Sequence, residues 1–284
     1  MAVITEYRFG ESMGIPPGVN SHQRGKRDSV QGWTDSSTRR LTRFLYSVDE
    51  RKLSGQGLAL SLTVRDCPPS AADWTSIRRA FFERLRRMGL VRAHWLTEWQ
   101  RRGVPHMHAA VWFPADWHSE TSFLEHDVRD HWLAVSELYR PGPNGQHIAR
   151  ITDAVGWNQY LSKHSVRGLK NYQRSAESIP EGWKKTGRMW GRLGQWSLVA
   201  PVKYTVSNHA FWVRRRILQR WRLADARASG DRGRVRSARK MLQCNDRPLS
   251  SCRGTSEWSP GGVPYVFSQQ TLRYLVSMGH EVTC

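Results

Sequence analysis

Two runs of β-type residues, VRAHWLTEW and HAAVWF, are separated by Gln100, Arg101, Arg102, Gly103, Val104 and Pro105. Aromatic and branched residues in short runs, joined by a short connection that contains glycine, predict an antiparallel hairpin. Strand alternation then sorts the side chains of HMHAAVWF. His106 and His108 point to one face, and Met107, Ala109, Val111 and Phe113 point to the other. One face is a core and the other offers two imidazoles. Glu98 stands eight residues before His106, and a hairpin loop of three or five residues sets it across from His106 or His108 on the imidazole face.

The neighbouring sequence supplies further elements. In LALSLTV, Leu58, Leu60, Leu62 and Val64 alternate with Ala59, Ser61 and Thr63, the pattern of a half-buried strand. Ser70 with Asp73 reads as a capped helix start, followed by Ile77, Phe81, Leu85 and Met88 on one face and a stop at Gly89. Helices are also expected over 119–139, from Asp153 to His164, over AFWVRRRILQRWRLADARA, and from Thr271 to Met278, with a strand in SLVAPVKYTV. Residues 10–40 mix Gly, Ser, Pro and charge without lasting periodicity and read as a mobile arm or long loop, with regular structure beginning near Thr38.

Two imidazoles and a carboxylate on one face suit a divalent ion. With an oxygen-rich substrate such as a phosphodiester, that ion is expected to be Mg²⁺ or Mn²⁺, although imidazoles also accept Zn²⁺, Co²⁺ or Ni²⁺. The plain reading of His106 and His108 as polar strand residues stays open at this point. In GWNQYLSKH, Lys163 follows Tyr160 by three residues and shares its helical face. The pair fits core packing with a snorkelling cation. The pair also admits a nucleophilic phenol, whose ordinary pKa of about 10 requires a nearby cation or a metal-polarised phosphate.

The runs EWQRRGVPHMHAAVWF, YLSKH and LSLTV together resemble the three motifs of the HUH endonucleases, specifically the rolling-circle replication initiators of filamentous phages and small plasmids. The resemblance covers roughly residues 55–200. It implies that His106 and His108 bind the metal, that Glu98 is the third ligand, that Tyr160 attacks DNA and that Lys163 assists it. It also implies an α+β fold, an antiparallel sheet flanked by helices, with residues 1–50 as arm and lead-in, 51–206 as the endonuclease domain and 207–284 as a basic helical C-terminal region. The implied reaction nicks single-stranded origin DNA, leaves a 5′-phosphotyrosine and a free 3′-hydroxyl, and later rejoins the strands. A host polymerase and helicase are the implied partners, since no G-x-x-x-x-G-K-[ST] phosphate loop is present. One departure is visible. Some phage initiators carry a second tyrosine one helical turn on, where this chain has His164, and Tyr172 is the nearest substitute.

Charge points to the same class of partner. Lys and Arg number 44 against 24 Asp and Glu, a formal net charge of +20, which favours a polyanion. The excess concentrates in residues 201–250, with 13 basic against three acidic residues. There Arg214, Arg215, Arg216 and Arg220 crowd one helix, and they are expected to face outward and bind nucleic acid while its apolar residues dock on the main domain. A non-catalytic single-stranded nucleic-acid-binding protein, with 14 tryptophans stacking on bases, is the alternative outside enzymes. An HUH transposase or relaxase is the alternative within that chemistry. Cys67, Cys244, Cys252 and Cys284 form no C-x-x-C pair, so reduced thiols are expected rather than a zinc knot. With no signal-peptide or membrane-spanning run, the expected location is the cytoplasm of a bacterial host cell, away from membranes.

Overall fold

The structure is a computed structural model and describes residues 1–14, 31–116, 121–167, 172–183, 185–243 and 267–284. In chain order its elements are β1 (Ala2–Glu6), β2 (Glu11–Gly14), α1 (Asp35–Ser47), β3 (Gln56–Thr63), α2 (Ala71–Arg87), β4 (Arg92–Trp99), β5 (Pro105–Phe113), α3 (Thr121–Ser136), β6 (His147–Arg150), α4 (Ala154–Arg167), β7 (Trp190–Gly194), β8 (Val202–Val206), α5 (Asn208–Ala228), α6 (Arg232–Gln243), α7 (Phe267–Ser277) and β9 (Val282–Thr283). This is the expected α+β class, with antiparallel sheets flanked by helices. No helix among the described residues is long and apolar enough to cross a membrane.

The chain divides into two compact units. One comprises the described residues of Gly25–Leu45 and Asp49–Ser197 and holds a five-stranded antiparallel sheet in the order β6-β3-β5-β4-β7. The hairpin predicted from the sequence forms its centre. Gly103 sits in the turn at φ +72°, a left-handed conformation that glycine adopts at no cost. One face of the sheet, carrying Leu58, Leu60, Leu62, Met107 and Val111, is fully buried. Helix α2 covers it: Trp74 Nε1 donates to Thr97 Oγ1 at 3.1 Å, and Trp74 and Phe81 meet Trp132 of α3 edge to face at 5.8 and 5.4 Å. Helix α2 starts where expected, because Ser70 and Asp73 cap each other's backbone amides, and the left-handed Gly89 follows its end.

On the opposite face His94 is fully buried against Phe44 and Trp196, with ring centroids 5.9 and 5.5 Å away. Neither ring nitrogen has a hydrogen-bond partner among the described residues. Burial therefore pushes its pKa down to about 3.

The second unit comprises the described residues of Met1–Arg24, Tyr46–Val48 and Leu198–Cys284. Its sheet runs β2-β1-β8-β9, and Ile4, Met13, Val206, Phe211 and Leu272 form its core with α5 and α7. Regular structure thus begins at Ala2 rather than near Thr38. Residues 1–14 are not an arm: β1 lies between β2 and β8, with Ala2 opposite Val206 and Glu6 opposite Val202. The strand is too short to show a period, and its partner is some two hundred residues away. For the same reason β8 groups with the C-terminal residues, and the boundary falls at Leu198, not after residue 206. Residues 15–30 of the expected arm lie outside the described residues.

Arg214 closes this core. Its guanidinium donates to both carboxylate oxygens of Glu11, at 2.9 and 2.6 Å, and its Nε donates to Thr271 Oγ1 at 2.8 Å. Both charged side chains are fully buried.

Two stability outcomes follow from these buried groups. Replacing Arg214 with Met strands the Glu11 carboxylate and should cost about 3–5 kcal/mol in denaturant unfolding. The Arg214→Met/Glu11→Met double variant should recover most of that loss, and a double variant no better than the single one would refute the pairing. Unfolded His94 takes up a proton near pH 6.5, whereas the folded residue does so only near 3. The unfolded chain therefore binds more protons in between, and stability falls as pH drops through about 6.5. Between pH 7.5 and 5 this group should remove roughly 2 kcal/mol of stability, a slope that His94→Leu should abolish.

Candidate active site

Three strands bring the candidate ligands into two adjacent rows. Glu98 of β4 and Thr63 of β3 both stand opposite His106 of β5, while Leu96 and Ser61 both stand opposite His108. All of them point to the face that does not carry α2. The imidazoles meet edge to face, with Nε2 of His106 and Nε2 of His108 2.6 Å apart. Glu98 Oε2 lies 3.8 Å from His108 Nε2.

The outer ring nitrogens are also held. Ser61 Oγ lies 2.8 Å from His108 Nδ1, and Gln100 Nε2 lies 3.3 Å from His106 Nδ1. Gln100 donates to His106 Nδ1, which leaves the proton of that ring on Nε2, directed at Nε2 of His108. His108 in turn donates from Nδ1 to Ser61. With both rings neutral, each of these contacts then has one donor and one acceptor. Sequence reading placed Ser61 on the polar face of its strand but gave neither Ser61 nor Gln100 a role.

Glu98 is fully buried, and its Oε1 accepts from Arg174 Nε at 2.7 Å. Arg174 was not singled out from the sequence, where it stands in an irregular stretch of mixed polarity. Gln173 O accepts from Trp99 N at 2.9 Å, which ties that stretch to the end of β4 and brings Arg174 beside Glu98. The guanidinium also lies 4.1 Å over the Trp33 ring. Burial pushes the Glu98 carboxyl above the usual range, against the opposing pull of Arg174 and His106.

Among the described residues no group of three His, Cys, Asp or Glu side chains already stands in metal-holding geometry. Bonds of about 2.0–2.1 Å hold neighbouring donors about 3 Å or more apart, whereas the two imidazole nitrogens are 2.6 Å apart. The donor set nonetheless fits a divalent ion once the rings part by roughly half an ångström. Among the described residues Glu98 Oε2 is buried without a hydrogen-bond partner, an acceptor that a cation beside the imidazoles would satisfy.

Helix α4 brings Tyr160 to the same place. Its ring stands edge-on to His108 at 5.6 Å and stacks on Trp157 at 5.3 Å. Tyr160 is 42% exposed, open to an incoming strand. Burial of the phenol, together with the Glu98 carboxylate, pushes its pKa above 10, so the protein alone resists its ionisation. Lys163 lies in α4 one turn on, but its side chain and that of His164 lie outside the described residues. Tyr172 is exposed and lies under the Arg101 guanidinium at 5.4 Å. Tyr160 borders a groove of about 430 Å³, lined also by Ser61, His147, Arg150, Asp153 and Trp157.

The arginines of α5 divide differently from expectation. Arg214 is fully buried on Glu11, and Arg215 is buried with its guanidinium 5.1 Å over Trp212. Neither faces outward, because a long side chain on a helix packed at several faces becomes part of the core when a carboxylate or ring receives it. Arg216 and Arg220 are exposed, and Arg216 donates to Leu242 O at 3.2 Å, near the end of α6.

The whole chain has close relatives. It is 47% identical over 293 residues to a protein of Xylella fastidiosa (strain 9a5c) whose name assigns it to replication, covering 100% of this chain and 99% of the relative. It is 47% identical over 285 residues to a replication-associated protein of Pseudomonas phage Pf3, covering 99% of each chain. No protein-family model and no solved structure matches it.

If Ser61 and Gln100 orient the imidazoles, removing either hydrogen bond should weaken metal binding while leaving both ligands in place. Calorimetric titration with Mn²⁺ should show a dissociation constant raised about 10–100-fold in Ser61→Ala and in Gln100→Ala. Unchanged affinity in both would mean that these contacts serve only the fold.

Proposed function

Because the chain belongs to the family of replication proteins that includes the replication-associated protein of Pseudomonas phage Pf3, we propose that it initiates rolling-circle replication as an HUH-type nickase acting on single-stranded origin DNA. The observation that carries this reading is the meeting of Tyr160 with His106 and His108 on one sheet face, with the His108 ring 5.6 Å from the phenol ring. A binding module has no use for a half-exposed tyrosine set against paired imidazoles and a buried carboxylate.

His106, His108 and Glu98 would hold a divalent ion, Mg²⁺ or Mn²⁺. When bound, the ion supplies Lewis-acid polarisation of the scissile phosphate. The protein's own residues do the rest. Trp157 fixes the plane of the Tyr160 ring by stacking, and Arg150 in the adjoining groove suits the next phosphate of the strand. The Tyr160 oxygen attacks phosphorus and forms the new O–P bond as the bond from phosphorus to the 3′ oxygen breaks. The phenolic proton passes to water, and the departing oxygen takes one proton from water to become the 3′-hydroxyl, so the exchange is proton-neutral. The bond energy is retained in the 5′-phosphotyrosine, so rejoining requires no nucleotide hydrolysis.

Arg174 anchors Glu98, so that one carboxylate oxygen is tied and the other faces the imidazoles. Lys163 is assigned to Tyr160 on helix spacing alone. The free 3′-hydroxyl suits extension by a host polymerase, with a host helicase opening the duplex, and these steps place the reaction in the host cytoplasm.

Incubating the protein with labelled single-stranded origin DNA and Mn²⁺ should give a denaturant-resistant protein–DNA adduct. Tyr160→Phe should abolish the adduct while costing under about 1 kcal/mol of stability, since a single oxygen of a half-exposed side chain is removed. Lys163→Ala should slow adduct formation. An adduct that survives Tyr160→Phe would make Tyr172 or another residue the nucleophile and overturn the assignment of Tyr160, and wild-type binding with no adduct would establish the non-catalytic alternative.

A further inference from the structure

Helices α5 and α6 form an antiparallel pair joined at Gly230, whose φ of +67° turns the chain. Val235, Ala238 and Leu242 of α6 pack on Leu223 and Ala226 of α5. That apolar seam decides which side of α6 looks out. Arg232, Arg236, Arg239 and Lys240, with Arg227 from α5, line a cleft of about 640 Å³. From Arg232 to Arg239 the cations extend about 10 Å along the helix at 1.5 Å per residue.

The two helices and their turn hold eleven basic residues and two acidic ones, Asp225 and Asp231. Asp231 is committed to the start of α6, its Oδ1 accepting from Gly233 N at 2.7 Å and Arg234 N at 3.1 Å. Five cations in one cleft repel each other unless an anion neutralises them. Among the described residues none of the lining side chains is aromatic. Proteins that grip single strands stack bases on aromatic rings, so this cationic lining suits phosphates rather than bases.

We propose that the α5–α6 cleft holds the phosphate backbone of duplex DNA, independently of sequence, through residues other than those that cleave the strand. The choice of DNA as the polyanion rests on the replication reading. The choice of duplex rests on the cleft itself. The nucleic-acid contact of the C-terminal region therefore belongs to Arg227, Arg232, Arg236, Arg239 and Lys240, and not to Arg214 and Arg215.

The test uses the full chain and a quadruple variant, Arg232→Gln, Arg236→Gln, Arg239→Gln and Lys240→Gln. Gln has a helix propensity close to that of Arg and Lys, and circular dichroism with a melting curve confirms the fold. If the quadruple variant melts early, Arg236→Gln/Arg239→Gln replaces it and should show about half of the effect. Fluorescence anisotropy follows binding to a duplex of about 30 base pairs lacking the origin, and to oligo-dT of equal length, from about 0.05 to 0.3 M salt. The duplex log–log salt slope should become shallower by about three units, at up to 0.9 for each phosphate no longer neutralised. The duplex dissociation constant at 0.15 M salt should rise at least tenfold, while oligo-dT affinity stays within about twofold. An unchanged duplex slope overturns the proposal. An equal loss on oligo-dT also overturns it, because the cleft would then be a general positive field, as would loss of binding to phosphatidylglycerol vesicles with duplex binding intact. The Tyr160 adduct assay runs beside it. A wild-type protein that binds duplex through the cleft yet forms no adduct would refute the nicking reading and leave the cleft standing.

Discussion

The register between β4 and β5 is the constraint on which the rest of the site depends. With Glu98 opposite His106 and Leu96 opposite His108, the two imidazoles and the carboxylate share a face while Met107, Ala109 and Val111 fill the core. A slip of one residue would exchange those sets, burying both histidines beneath α2 and turning the apolar residues outward. The buried face therefore enforces the polar one. Packing energy from Leu60, Leu62, Met107 and Val111, each worth about 1.5–3 kcal/mol on full burial, far exceeds anything the polar residues could contribute to their own placement.

Each compact unit contains a fully buried arginine–glutamate pair, Arg174 with Glu98 in one and Arg214 with Glu11 in the other. Such pairs are poor sources of net stability, because desolvation of two charges offsets most of their attraction. They differ in what surrounds them. Arg214 directs its donors to both oxygens of Glu11 and to Thr271, and the pair closes a core. Arg174 leaves Glu98 Oε2 beside His108, and the pair positions a carboxylate at the edge of the site. The first ties the N-terminal strands to α5, and the second ties an irregular stretch to the end of β4.

The pattern of charge has the same two levels. A formal charge of +20 suits a protein that handles DNA, but the density of arginine along α5 does not say which residues meet solvent. Where α5 lies against β-strands and α7, a carboxylate or an aromatic ring receives the guanidinium. Where α6 crosses α5, its small apolar seam of Val235, Ala238 and Leu242 leaves the basic positions outward.

Local periodicity determined the central hairpin, the strand at Leu58, the capped helix after Ser70 and the shared face of His106 and His108, since each rests on spacing within a few residues. Those same spacings set Tyr160 on a helix with Lys163 one turn away. Tertiary structure alone decided the pairing of β1 with β8, the two-residue strand β9 and the partners Arg174 and Glu11, because each depends on residues far apart in the chain or on elements too short to show a period. Whether a charged side chain is a ligand, a core ion pair or a surface contact depends on what faces it across the fold. The chain carries 44 basic residues, and only the packing of its sheets and helices distinguishes those that hold it together from those that reach outward.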